Sequence, residues 1–240
     1  QKTLSTLHAI LDQHPGEIAV CILELVQGES GFQVAPREFF APLMETLKER
    51  GVTVWVDEIQ TFGRTGELFA FQRLNLAEYV DVVTVGKLLQ NSAVLFRQEY
   101  QPDPALISGT FAGTTVGMAV GRRIVEKLLQ ENYLGPKGKI TALGHHTRDT
   151  LTRLQTETSG AIRAISGIGA MWAFEPTGAS HDGIKALLQE CYRNGLILYY
   201  AGAGAGPYRV RMFLPGGVAT PEDVDEAVRI LRVSMTQLSR

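Results

Sequence analysis

The chain has 240 residues, a formal net charge of −2, and 45% hydrophobic against 20% charged residues. That length can bury a full core as one large domain or two modest ones, and a near-neutral balance with no basic run excludes a nucleic-acid footprint. No apolar run reaches membrane-spanning length and no signal peptide is visible. The two unspaced cysteines, Cys21 and Cys191, read as reduced thiols, so the expected compartment is the cytoplasm.

Leu4, Leu7, Ile10 and Leu11 have helical spacing and predict a helix over 3–13. Ile18 to Leu25 is a continuous apolar run, the pattern of a strand covered on both faces. Pro36 opens a helix that runs to about Arg50, where Gly51 stops it. Val52–Val56, Tyr79–Val85 and Ala93–Phe96 read as strands. The alternation of strand and helix predicts an α/β fold with a mainly parallel sheet. Helices follow over 115–131 and about 137–157. The remainder has the pattern of a small α+β domain. Ile162–Ile165 and Ala170–Phe174 are strands separated by Gly167 and Gly169. Asp182–Arg193 is an amphipathic helix ended by Gly195, and Val210–Phe213 is a further strand. Thr220-Pro-Glu-Asp opens the last helix with an N-cap, a proline at the first position and acids in the first turn. The expected domains are therefore 1–130, part of a large domain, and 131–240, a small C-terminal one.

Two segments carry the chemistry. Val54-Trp-Val-Asp57-Glu-Ile-Gln60-Thr-Phe-Gly-Arg64-Thr-Gly66 and Asp81-Val-Val-Thr-Val-Gly-Lys87 each read as a short apolar strand ending in a charged residue. Ligands in open α/β sheets bind outside the carboxyl ends of the strands. A carboxylate and an amine there suit pyridoxal phosphate: the amine forms the Schiff base, and the carboxylate keeps the ring nitrogen protonated so that the ring withdraws electrons. In an extended strand Glu58 points away from Asp57 and reads as structural.

The run from Asp57 to Gly66 resembles the Asp-Glu-Val-Gln-x-Gly-x-Gly-Arg-Thr-Gly signature of class III aminotransferases, pyridoxal-phosphate enzymes of fold type I. Glu24-Leu-Val-Gln-Gly-Glu29 is similar to that family's Glu-Pro-x-Gln-Gly-Glu. Ser108-Gly-Thr110-Phe-Ala-Gly-Thr114 is similar to its Gly-Ser-Thr-[Tyr/Trp]-Gly-Gly, and Arg209-Val-Arg211-Met-Phe-Leu-Pro215 to its Arg-x-x-Pro-Pro. Four motifs occur in the family's order, so the resemblance covers nearly the whole chain.

The resemblance implies a fold type I large domain with a mainly parallel sheet, plus a small α+β domain. It makes Lys87 the Schiff-base lysine and general base, and Asp57 the partner of the ring nitrogen. Gln60 is implied beside the phenolic oxygen. Thr110 is implied as a ligand of the cofactor phosphate across a homodimer interface, with Thr114 as the alternative register. Arg211 would hold the substrate α-carboxylate through a bidentate fork, with Arg209 the neighbour it could be confused with. Glu29 would pair with that arginine while an ω-amine is bound and release it for 2-oxoglutarate. Arg64 reads as structural. The run after the lysine, Leu88-Leu-Gln90-Asn-Ser, departs from the family's glycine-rich pattern; lysine 6-aminotransferases show a similar departure.

The implied reaction is transfer of an amino group from an ω-amino acid or diamine (lysine, ornithine or 4-aminobutyrate type) to a 2-oxo acid, with 2-oxoglutarate the expected acceptor. The alternatives are a racemase or mutase of the same family, or an inactive fragment or dimerisation module. The chain opens at Gln1 without Met, inside a helical pattern, and the family is longer on the N-terminal side. A C-terminal part is therefore expected, with the phosphate-cradling loop and the aromatic that stacks on the ring lying elsewhere. Gly202-Ala-Gly-Ala-Gly-Pro207 precedes a strand and reads as a flexible loop, not a nucleotide loop. His145 and His146 have no partners at metal-ligand spacing, so no metal is expected.

Overall fold

A computed structural model describes residues 2–104, 106, 109, 113–178, 180–202 and 208–238. In chain order the elements are α1 (Lys2–Gln13), β1 (Val20–Leu23), β2 (Val26–Gln27), β3 (Gln33–Val34), α2 (Arg37–Glu49), β4 (Thr53–Glu58), α3 (Ala70–Arg73), β5 (Val82–Val85), β6 (Ala93–Phe96), α4 (Thr115–Gln130), α5 (Lys139–Glu157), β7 (Ile162–Ile168), β8 (Met171–Pro176), α6 (His181–Arg193), β9 (Tyr199–Ala201), β10 (Arg209–Phe213) and α7 (Pro221–Leu238). Two compact units form. The first comprises Gln1–Leu25, Ala35–Gly63 and Glu67–Glu131; the second comprises Val26–Val34, Arg64–Gly66 and Asn132–Arg240.

The first unit is built on a sheet of order β1-β4-β5-β6. β1, β4 and β5 are parallel and β6 is antiparallel to β5. Helix α2 begins after Pro36, carries Glu38 in its first turn and Lys48 in its last, and ends before Gly51 at φ +71. It buries Phe40, Met44 and Leu47, and this apolar face keeps it helical through Pro42, a proline inside the helix that the sequence pattern did not mark. Asp81, whose side chain is fully buried, fastens the amino-terminal ends of the strands. It pairs with Lys48 of α2, lies 3.5 Å from Arg97 Nε and accepts from Val54 N at 3.0 Å. With those ends tied, the carboxyl ends of β4 and β5 emerge together at the opposite edge.

Strand β1 differs from the expected two-faced burial. Its residues alternate between exposed and half-buried, and Ile22 is 58% exposed. Among the described residues β4 is its one sheet neighbour, so only one edge and part of one face are covered. Val94, Leu95 and Phe96 are likewise exposed on β6 at the other edge.

The second unit has an antiparallel sheet of order β7-β8-β10-β9, the two-stranded β2-β3 ribbon, and helices α5, α6 and α7. Leu151, Leu154, Ile162, Met171, Phe174, Ile184, Val224 and Leu231 are buried in its core. Two helix starts are capped by side chains: Ser180 Oγ accepts from Gly183 N at 3.1 Å, and Thr220 Oγ1 accepts from Asp223 N at 3.3 Å. The β7-β8 ladder breaks register between Arg163 and Ser166, where Ala164 takes a left-handed φ of +47. Such a bulge turns the following side chain in a new direction. No helix among the described residues is long and apolar enough to cross a membrane.

Candidate active site

Strand β4 separates its two carboxylates by simple alternation. Val54, Val56 and Glu58 are buried, while Trp55 and Asp57 on the other face are half-buried. Glu58 accepts from the Thr61 hydroxyl, from Ala70 N at 2.9 Å and from Phe71 N at 3.0 Å, and so caps the start of α3. Burial pushes its pKa up, against the opposing pull of those three donors. Glu58 is thus the structural carboxylate. Asp57 Oδ1 accepts from Ile59 N at 2.8 Å, which fixes its rotamer at the strand end. On the same face Trp55 Nε1 donates to Thr84 Oγ1 at 3.3 Å, and Thr84 is the register partner of Asp57. Gln60 is half-buried in the turn that follows.

Lys87 lies just past the carboxyl end of β5, the strand beside Asp57, and is exposed. It opens a single 3-10 turn, Lys87–Leu89, with φ +46. A non-glycine residue held in the left-handed region carries strain, and such residues concentrate at functional sites. The turn is closed by Gln90 N and Gln90 Nε2, which donate to Lys87 O at 3.0 and 3.1 Å. The two leucines that replace the expected glycines pack against glycines elsewhere. A Cβ on Gly63 would stand 2.8 Å from Leu88 Cδ2, and one on Gly121 of α4 would stand 3.0 Å from Leu89 O. The missing side chains lie in the supports of the lysine turn instead of in the turn itself.

A second constellation lies wholly in the second unit. Arg211 Nη1 donates to Glu29 Oε1 at 2.7 Å and to Gly28 O at 3.1 Å, and Arg211 Nε donates to Tyr200 O at 3.1 Å. Its guanidinium lies 5.8 Å from the Phe32 ring centroid and 5.9 Å from that of Phe213. The Arg211 side chain is 10% exposed and that of Glu29 is 65% exposed. Two carbonyls and two rings flank the buried arginine, and the glutamate is the exposed partner. The spacing in the chain does not reveal the two rings or the two carbonyls. Arg209, two residues away, is turned to other partners: Ala164 O and Ser166 Oγ, each at 2.6 Å, and Glu175 Oε1 at 3.4 Å.

Thr110 lies outside the described residues. Thr114 stands at the N-cap of α4 with no side-chain capping bond. The Arg64 guanidinium is 5.8 Å from the Phe213 centroid, and burial lowers its pKa. His146 Nε2 is 2.9 Å from Asp225 Oδ1. Among the described residues no group of three or more His, Cys, Asp or Glu could hold a metal ion. Most of the Gly202–Pro207 loop, residues 203–207, is outside the described residues.

The family model for class-III aminotransferases matches residues 1–234. The chain belongs to this family. Class-III aminotransferases depend on pyridoxal phosphate and act on amino and 2-oxo acids as a general property. The L-lysine-epsilon aminotransferase of Mycobacterium tuberculosis is 30% identical over 243 residues, which cover 98% of this chain and 51% of that protein. The acetylornithine aminotransferase of Aquifex aeolicus is 30% identical over 239 residues, 95% of this chain and 56% of that protein. Among solved structures, lysine aminotransferase from M. tuberculosis superposes with a TM-score of 0.86 at 26% identity, covering 98% of this chain and 53% of that one. This class-III chain spans about half the length of the curated relatives it matches.

Proposed function

We propose that this chain supplies the reactive lysine, the ring-nitrogen partner and the carboxylate clamp of a pyridoxal-phosphate-dependent transaminase. The enzyme would act on an ω-amino acid or diamine as donor and 2-oxoglutarate as acceptor. The observation that carries the reading is the placement of Asp57 and Lys87 at the carboxyl ends of adjacent parallel strands in a chain of this family.

The residues present fit the cofactor. It needs an amine for its aldehyde, an anion for its ring nitrogen and a neutral donor for its phenolic oxygen. Lys87, Asp57 and Gln60 offer these groups in the order of the family signature. When bound, pyridoxal phosphate supplies an aldehyde that takes up an amino group and a ring that withdraws electrons from the adjoining carbon. Asp57, oriented by Ile59 N, would hold the proton on the ring nitrogen. Lys87 Nζ would hold the group by its aldehyde and, as a free amine, would move a proton at the substrate carbon. Thr110 would hold the phosphate, in a homodimer that shares the sites. Arg211 grips the α-carboxylate of the 2-oxo acid through its planar fork. Glu29 covers that charge when a donor without an α-carboxylate at this position is bound.

The test is glutamate formation by the full-length protein from 2-oxoglutarate with lysine, ornithine, 4-aminobutyrate or acetylornithine. We expect glutamate with at least one donor, and loss of about a hundredfold to ten-thousandfold on Lys87→Ala. Isomerisation of an amino acid with no 2-oxo acid consumed would overturn the transaminase reading.

A further inference from the structure

The buried Arg209 guanidinium belongs to a chain of contacts that ends at Glu29. Glu29 sits in a tight turn in which Gly31 N donates to Gly28 O at 3.2 Å and Phe32 N to Gln27 O at 2.9 Å. Gly31 has φ +84 and Phe32 φ +52, both left-handed. Behind this turn lies Arg209. A Cβ on Gly31 would stand 2.6 Å from Arg209 Nε and 2.7 Å from its Cδ, so the arginine fills the space in front of the glycine. Arg209 Nε is buried with no acceptor among the described residues, sealed against that backbone. Arg209 Nη2 donates to Ser166 Oγ at 2.6 Å, and Ser166 Oγ in turn donates to Gly31 O at 3.1 Å. A hydroxyl can accept and donate at once, so it passes the arginine's orientation to the turn. The same Nη2 donates to Ala164 O at 2.6 Å, holding the left-handed bulge residue that aims Ser166 at the turn. Short charge-assisted bonds such as these are the strong kind. Glu175, paired with Arg209 and 3.1 Å from Arg163 Nε, closes the far end.

We infer that Arg209 is a positioning residue that acts through Ser166 and Gly31 to hold the Glu29 turn where its carboxylate meets Arg211. This rests on the proposed exchange of Glu29 for a substrate carboxylate at Arg211. The exchange needs the arginine fixed and the glutamate able to leave and return to one place. The two carbonyls, Gly28 O and Tyr200 O, fix Arg211; the Arg209–Ser166 brace fixes the place of return. Two arginines, two residues apart on one strand, thus have separate tasks.

The experiment uses the full-length holoenzyme and compares the two half-reactions, with amine donor and with 2-oxo acid, in Glu29→Ala, Ser166→Ala and Ser166→Thr. Hydrogen exchange over residues 26–34 is followed in parallel. Displacing a group near the reacting centre can reduce rates by up to about a hundredfold. Glu29→Ala is expected to depress kcat/KM of the amine half-reaction about tenfold more than that of the 2-oxo acid half-reaction. Ser166→Ala should speed exchange at the Gly31 and Phe32 amides and shift the half-reaction ratio the same way by a few-fold. Ser166→Thr, which keeps the hydroxyl, should restore both. Unchanged exchange in Ser166→Ala, or faster exchange with an unchanged ratio, overturns the brace. Equal losses in both half-reactions for Glu29→Ala overturn the exchange reading instead, and the exchange data then decide the brace alone. Arg209→Lys is the companion variant; it should match Ser166→Ala in both readouts if it folds.

Discussion

Two neighbouring carboxylates, Asp57 and Glu58, show how one strand gives similar residues opposite surroundings. Alternation places Glu58 in the interior, where its three donors come from Thr61, Ala70 and Phe71. Its pKa is raised by burial, so between the ordinary value of 4.5 and the higher folded value the native state binds more protons than the unfolded chain. Stability from Glu58 is then fully present below the ordinary value and declines as pH rises through that window. Glu58→Gln cannot titrate and turns an amide donor toward backbone N–H groups, an effect of about 1–3 kcal/mol. Urea unfolding from pH 4 upward should show the variant less stable, with the gap narrowing as pH rises; a gap that widens would contradict the assignment. That Glu58 points inward and Asp57 to the other face was legible from period-two alternation. The partners of Glu58 were not, because α3 has four residues and no periodic pattern to announce it.

At the scale of elements, the position of Lys87 depends on close approach between its turn and two glycines. Gly121 lets α4 lie against Leu89 O, and Gly63 makes room for Leu88. Gly121→Ala gains about 1 kcal/mol of helix propensity but sets a methyl group 3.0 Å from a backbone oxygen. We expect little change in melting temperature and about tenfold weaker cofactor affinity in an absorbance titration, because the lysine turn must shift to make room. A higher melting temperature with unchanged affinity would show that the turn does not depend on α4. The long periodic helices and apolar strands were readable from the sequence. β2, β3 and β9, of two or three residues each, were not, since pairing and not pattern defines them. The bulge at Ala164 was hidden for the same reason: its left-handed residue is an alanine, where a glycine would have given notice.

At the scale of the whole chain, the residues proposed for the chemistry fall in two units: Asp57, Gln60 and Lys87 in the first, and Glu29, Ser166, Arg209 and Arg211 in the second. Glu29 and Arg211 are 182 residues apart in the sequence, and nothing local to either points to the other. Their pairing was visible in advance only through resemblance to a family whose motifs recur in order. The second unit takes Val26–Val34 and Arg64–Gly66 from within the stretch expected to be one large domain. Composition does not change at those boundaries, so the sequence alone could not mark them.

The transaminase reading stands on Lys87 bonding the cofactor. The full-length protein, incubated with pyridoxal phosphate, reduced with borohydride and mapped by peptide mass, tests it directly. A phosphopyridoxyl group is expected on Lys87, and none there in the same protein left unreduced. An unmodified Lys87, or a stoichiometric label on a different lysine, would contradict it.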